Sequence, residues 1–249
     1  MRRIRITIAY DGTGYSGWQV QPGRPTIQAA IQQIISGIEG KHVHVRSSGR
    51  TDAGVHARAQ VAAFDLGNSI PCENLRKAMN RLLPFDIRIL KVEEVHAGFN
   101  PRHDAIAKTY EYRIWRSEIC SPFDRRYVYH HPYALDENRM NECAGLIEGE
   151  HDFTSFAAAD VHDYPGRSKV RIIFSSVGES GGGLWTYRVR GSGFLKHMVR
   201  NIVGVLLEAG KGNVGREQLL ARLEPDSGIR PGPTVPPQGL FLESVEYPY

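Results

Sequence analysis

Between Arg3 and Ile38 the apolar residues change their period, and that change limits the fold more than any other feature of the chain. Over residues 3–10, Ile4, Ile6 and Ile8 alternate with polar neighbours, the spacing of a strand with one buried face. A glycine-rich loop follows through Gly12, Gly14, Gly17 and Gly23. Thr26 then stands where a helix cap belongs, ahead of an apolar stripe of Ile27, Ala30, Ile31, Ile34, Ile35 and Ile38. Further on, strands are expected near 42–48 and 58–66, a helix from Pro71 to about Leu83, and a strand over Ile87–Val92. The order β-α-β-β-α-β is that of a ferredoxin-like unit.

A looser second copy follows. A strand is expected over 105–115 and a helix over about 136–148. Strands at 168–178 and 184–192 flank the turn Gly181-Gly182-Gly183. A strongly apolar helix spans about 195–210, a short one 215–223, and a strand closes at 240–247. The pattern predicts an α+β protein built of two ferredoxin-like (βαββαβ) halves, residues 1–98 and 99–249. Their antiparallel sheets are expected to flank a central basic cleft. The Pro-rich stretch 231–237 reads as a fixed loop, not a linker.

Charge gives a weak pointer to the partner. The net charge is only +4, so where the charge sits matters more than its total. Arg2, Arg3 and Arg5 cluster at the start, Arg102, Lys108, Arg113, Arg116, Arg125 and Arg126 in the middle, and Arg188, Arg190, Lys196 and Arg200 later. Segregation of this kind suits a phosphate backbone, though a solvated basic face would look the same. No apolar run approaches the ~20 residues that cross a membrane. The alternating N-terminus does not read as a signal peptide. Cys72, Cys120 and Cys143 are odd in number and widely spaced, which suggests free thiols in a reducing cytoplasm. The ten histidines match no zinc or iron spacing, and the loop 12–17 lacks the Lys-Ser/Thr of a P-loop. His42, His44, His130 and His131 read as strand-surface residues. Carboxylate chemistry remains, with no metal and no cofactor implied.

The candidate for it lies in Ser48-Gly49-Arg50-Thr51-Asp52-Ala53-Gly54-Val55-His56-Ala57, a turn between the second and third expected strands. Gly49 and Gly54 leave the backbone of that turn open to bending or to close approach by a ligand. An Asp in a turn commonly bonds its own backbone, so spacing alone leaves Asp52 structural or catalytic. Tyr110 and Tyr112, two apart on a strand, share one face and could stack a base or fill a core. Arg200 sits among Met198, Val199, Ile202 and Val203, and a largely buried arginine needs an anionic partner. Asp52 is the natural candidate.

The same residues carry a resemblance. The turn 48–57 resembles the active-site motif of the TruA-type family of tRNA pseudouridine synthases, and the likeness runs through essentially the whole chain. It includes Ala9-Tyr10-Asp11-Gly12, Tyr15-Ser16-Gly17-Trp18-Gln19, Phe99-Asn100-Pro101-Arg102 and Lys108-Thr109-Tyr110-Glu111-Tyr112. It continues in His151-Asp152-Phe153, in His197-Met198-Val199-Arg200-Asn201-Ile202-Val203-Gly204 and in Gly239-Leu240-Phe241-Leu242. Lys196 stands where the family is expected to have an aromatic, and the loop Pro233–Pro237 is slightly altered.

The resemblance implies a cofactor-independent isomerase that turns uridine into pseudouridine in the tRNA anticodon stem-loop, at tRNA positions 38, 39 and 40. It also implies a cytoplasmic homodimer. Asp52 would be the catalytic nucleophile or base acting on the ribose of the target uridine. Tyr110 would pack on the flipped base, Arg200 would pair with Asp52, Arg50 would lie near the flipped nucleotide, and Leu240 would cover the uracil. Two rivals stand beside this reading: a related isomerase with another RNA target, and a non-catalytic tRNA-binding module.

Overall fold

The computed structural model describes residues 1–159, 168–225 and 227–248. It is a mixed α+β structure in two compact units, Met1–Ile106 with Phe241–Tyr249 and Ala107–Leu240. In the first unit the elements run β1 (Arg2–Tyr10), α1 (Ile27–Glu39), β2 (Arg46–Ser47), β3 (His56–Leu66), α2 (Cys72–Leu82) and β4 (Ile87–Val95). The second contains β5 (Ala107–Trp115), β6 (Tyr129–His130), α3 (Glu137–Gly145), β7 (Gly149–Asp152), β8 (Val170–Gly181), β9 (Leu184–Gly191), α4 (Met198–Gly210) and α5 (Arg216–Ala221). The closing strand β10 (Leu240–Glu246) leaves the second unit after its first residue and joins the sheet of the first.

In the first unit β1 is antiparallel to both β3 and β4, and the short β2 pairs with β3 at Arg46 and Ser47. Ile4, Ile6, Ile8 and Tyr10 of β1 are buried, as the alternation requires. Thr26 caps α1 by accepting from the Ala29 amide, and Ile27, Ile31 and Ile35 point into the core. The helix ends on Gly40 at φ +77°, a left-handed turn that glycine adopts without steric cost. Strand β3 is buried over most of its length because both of its faces are covered. Val61 and Ala63 on one side pack on Phe99, joined by Val95, Val245 and Tyr247. Phe241 and Leu242 of β10 lie parallel to His56 and Ala57, at the end of the candidate turn.

The strand expected over 42–48 shrinks to two residues. The reason is local: the Val43 amide donates to Ser36 Oγ, the Val45 amide to Gln32 Oε1, and Gln28 Nε2 donates to the Val45 carbonyl. Side chains of α1 therefore take backbone groups that a ladder would need.

The sheet of the second unit has the order β5-β9-β8-β7, all antiparallel, with β6 parallel to the far end of β5. Gly182 and Gly183, at φ +59° and +77°, make the β8–β9 turn. Helix α3 packs on α4 and on β8, and α4 is buried along nearly its whole length. Ser176 Oγ donates to the Ala144 carbonyl and meets the Tyr187 hydroxyl at 2.7 Å, which satisfies the polar groups inside this core. Tyr112 is fully buried beside them, and its hydroxyl donates to the Pro236 carbonyl. Helix α4 starts at Met198, later than the apolar pattern suggests, because His197 takes the left-handed conformation at φ 61° and ψ 0°. No helix among the described residues is long and apolar enough to cross a membrane.

Candidate active site

The turn that carries Asp52 is held from four directions. The Ser48 amide donates to the Val61 carbonyl, and the Ser48 hydroxyl donates to Gln60 Oε1 at 2.6 Å. Gln60 Nε2 returns to the Gly49 carbonyl at 3.0 Å, so the start of the turn is closed on β3. Thr51, the residue before Asp52, meets the buried Tyr10 hydroxyl at 2.8 Å. Burial pushes the Tyr10 hydroxyl up to about 12, partly offset by its bond to Thr51. It is therefore a neutral phenol that anchors the turn to the end of β1. On the far side the Trp18 amide donates to the Thr51 carbonyl and the Gly54 amide to the Tyr15 carbonyl. The Val55 amide bonds back to the Asp52 carbonyl, so the backbone reverses at Ala53-Gly54, with Gly54 at φ +77°.

Two glycines of the preceding loop make this approach possible. A Cβ on Gly12 would lie 2.0 Å from the Val55 carbonyl oxygen. One on Gly17, which sits at φ +89°, would lie 2.6 Å from the Thr51 carbonyl oxygen and 3.0 Å from the Asp52 carbonyl carbon. The loop 10–18 and the turn 48–57 thus pack backbone against backbone, which only glycine permits.

His56 closes the assembly. It is 1% exposed, accepts from the Gly12 amide through Nδ1 at 3.1 Å, and has Asp11 Oδ1 at 3.2 Å from the same nitrogen. Its ring stacks on Phe241 at 4.8 Å, and the Arg58 guanidinium covers the Phe241 ring at 5.5 Å. The periodicity of the sequence gave no sign of this role, since the contacts join residues far apart in the chain. The only signal was that Ala9–Gly12 and Gly239–Leu242 belong to the same family pattern as the turn.

Arg50 shares the turn with Asp52 and is exposed. Tyr110 and Arg200 belong to the second unit. Tyr110 is 8% exposed and meets Phe194 edge to face at 5.0 Å. Arg200 is half-buried, less than the surrounding apolar residues suggest, and its Nε donates to the Val235 carbonyl at 2.8 Å. That bond belongs to a strap along α4. Thr234 donates to Asn201 Oδ1, Asn201 Nδ2 to the Phe156 carbonyl, and the Val235 amide to the Arg200 carbonyl. Gly204 admits the strap, since a Cβ there would lie 1.7 Å from the Pro233 oxygen. The stretch 231–237 is accordingly fixed, and it leads through one turn of 3-10 helix, Pro237–Gly239, into the buried Leu240. His131, expected on a strand surface, is instead 6% exposed and bonds to Arg116, while His130, His42 and His44 are exposed.

A carboxylate on a glycine-framed turn beside an arginine has the chemistry for acid–base or nucleophilic work on an organic substrate. Comparison with known proteins gives the family. A family model described as tRNA pseudouridine synthase matches residues 6–104 and 144–248. The chain is 62% identical over 247 residues to the tRNA pseudouridine synthase A of Solibacter usitatus, covering 99% of this chain and 100% of that one. It is 43% identical to the protein of that name from Anoxybacillus flavithermus, covering 99% of each, and 40% identical to that of Thermodesulfovibrio yellowstonii, covering 99% and 100%. The chain belongs to the tRNA pseudouridine synthase family, whose members are isomerases.

Proposed function

We propose that this enzyme isomerises uridine to pseudouridine in the anticodon stem-loop of tRNA, at positions 38, 39 and 40, with Asp52 as its catalytic residue. The observation that carries the reading is the intact turn 48–57, held by Tyr10, Gln60 and His56 in a chain that matches the family model over residues 6–104 and 144–248. The reaction is balanced without a co-reactant. The C1′–N1 bond breaks, the uracil turns, C5 bonds to C1′, and the proton leaving C5 is matched by one gained at N1. The Asp52 carboxylate serves the ribose as nucleophile at C1′ or as base at the neighbouring carbon. Tyr110 packs on the displaced base and assists loss of the C5 proton. Arg200 pairs with Asp52, Arg50 contacts the flipped nucleotide, and Leu240 covers the uracil. A uridine inside a stem must leave the stack to be reached, at a cost of a few kcal/mol that backbone contacts from basic residues offset.

The wider reading follows from the same family. The two compact units, Met1–Ile106 with Phe241–Tyr249 and Ala107–Leu240, are ferredoxin-like halves on either side of a basic cleft. Their boundary falls a few residues beyond the expected residue 98, the last strand returns to the first half, and the enzyme works as a homodimer in the cytoplasm. The first-unit order β1-α1-β2-β3-α2-β4, with β1 between β3 and β4 and β2 at the far edge of β3, supports the ferredoxin-like reading.

Tritium release from tRNA carrying 5-tritiated uridine tests the proposal. Wild-type enzyme releases tritium, and Asp52→Asn loses the activity by on the order of a thousandfold or more while still binding tRNA. Full activity in Asp52→Asn sinks the mechanism. Tritium release without pseudouridine at positions 38, 39 or 40 sinks the assignment of target.

A further inference from the structure

The most exposed aromatic side chain in the described structure stands on a turn wired to the catalytic loop. Phe85 is 96% exposed, at the tip of the α2–β4 connection Leu83-Pro84-Phe85-Asp86. The turn beneath it is firm. The Ile87 amide donates to the Pro84 carbonyl at 3.1 Å, and Leu83 is buried. Arg88 lies with its guanidinium 5.0 Å from the centre of the Phe85 ring. Its Nη1 is fixed there by donating to the Pro84 and Ile87 carbonyls, each at 2.6 Å. The next residue, Asp86, accepts from the Asp11 amide at 2.9 Å through its carbonyl and from the Tyr15 hydroxyl at 2.7 Å through its carboxylate. Tyr15 in turn accepts the amide of Gly54, two residues after Asp52.

We propose that Phe85 and Arg88 form a stacking platform for an unpaired nucleotide of the RNA, flanking the target uridine; the proposal rests on the tRNA reading above. A lone exposed phenylalanine needs no function. This one differs in two respects. Its ring is paired with a guanidinium held by two carbonyls, so the cation and the π-face are already oriented for a base and its phosphate. Its turn is joined through Asp86, Asp11 and Tyr15 to the segment that aims Asp52, so a nucleotide bound here is registered against the catalytic carboxylate. The chemistry supplies the need. Flipping a uridine from a stem leaves its neighbours without a stacking partner, and a rigid aromatic surface beside the site replaces that partner. Any base can stack on a ring face, so the platform gives affinity and register without reading sequence.

The test uses the full chain and an unmodified tRNA transcript with uridine in the anticodon stem. Phe85→Ala should weaken tRNA binding about five- to 150-fold, the range of one lost base–aromatic stack. Phe85→Trp should bind as tightly as wild type or more tightly. The thermal midpoint of Phe85→Ala should not move, because the side chain supports no core. Affinity of Phe85→Ala equal to wild type overturns the proposal, as does an equal loss in Phe85→Trp. A fall in the single-turnover rate at saturating tRNA with affinity unchanged overturns it too, since the turn would then act on Asp52 and not on RNA. The two readings fail separately. Wild-type protein that binds tRNA through Phe85 but releases no tritium refutes the isomerase reading alone, while an active enzyme indifferent to Phe85→Ala refutes the platform alone.

Discussion

At the scale of single residues, Gly14 and Gly17 look alike in the sequence and differ sharply in the fold. A Cβ on Gly14 would meet nothing within 4 Å. Gly17 is in the left-handed region and touches the backbone of Thr51 and Asp52, so a side chain there strains its own backbone and displaces the turn that carries Asp52. Gly17→Ala should therefore cost about 2 kcal/mol or more, a fall of roughly 4–8 °C in thermal midpoint for a chain of this size. It should also lower tritium release at least about tenfold, because 1 Å of misplacement at a reacting group is expensive. Gly14→Ala should leave both within error. Calorimetry and the tritium assay on the pair check this; equal behaviour of the two variants would remove the close packing of loop 10–18 on turn 48–57 as a catalytic requirement.

Among the elements, β5 shows both what the chain's pattern could disclose and what it could not. Glu111 alternates with Tyr110 and Tyr112 as any solvent-facing strand residue would, yet it is 4% exposed. Arg113 on the same strand meets its Oε1 at 2.6 Å, and Arg188 on β9 meets Oε2 at 2.5 Å. Burial alone would push this carboxyl up, but the hydrogen bonds and charges of the two arginines outweigh it and hold it below the usual carboxylate range. The unfolded chain then binds the proton more readily than the folded one, so this group's contribution is complete at neutral pH and is lost as pH falls through the lowered value. Glu111→Gln should be about 1–3 kcal/mol less stable at pH 7. Its urea midpoint should also fall less than that of wild type between pH 7 and the acid range. A parallel fall in both proteins would exclude Glu111 as a source of the acid sensitivity.

The same contrast runs through the fold. Strand β1 and helices α1, α2 and α4 were legible because their buried faces repeat every two or every 3.6 residues. The segment 42–48 carries the alternation of Val43 and Val45 but not the ladder, since α1 side chains take its backbone groups. Strands β6 and β7, two and four residues long, are too short to show a period. In the site, the motif around Asp52 could be read directly. The buried contacts of His56 and the strap from Pro233 to Val235 could not, because each joins segments far apart in sequence.

For the whole molecule, the proposed homodimer needs a surface, and β8 offers one. Val170, Ile172, Phe174 and Val177 are 39%, 40%, 44% and 45% exposed, while Ile173 and Ser176 between them are buried. The strand thus turns one apolar row into the core of the second unit and leaves another bare. Arg190 on the neighbouring β9 covers the Phe174 ring at 4.9 Å, a combination of aromatic and arginine common at the centre of protein interfaces. A bare row of this kind on a sheet face marks an association surface more often than a feature of an isolated chain. Wild-type protein should sediment at twice the 27.9 kDa chain mass at micromolar concentration. Phe174→Glu places a charge in the middle of the row without touching the buried side of the strand. It should shift the protein to the monomer mass with its thermal midpoint changed by no more than a few degrees. Sedimentation velocity on the two proteins decides the matter. A wild-type chain that stays at the monomer mass removes the homodimer, whereas a dimer indifferent to Phe174→Glu keeps the homodimer and removes β8 from its interface.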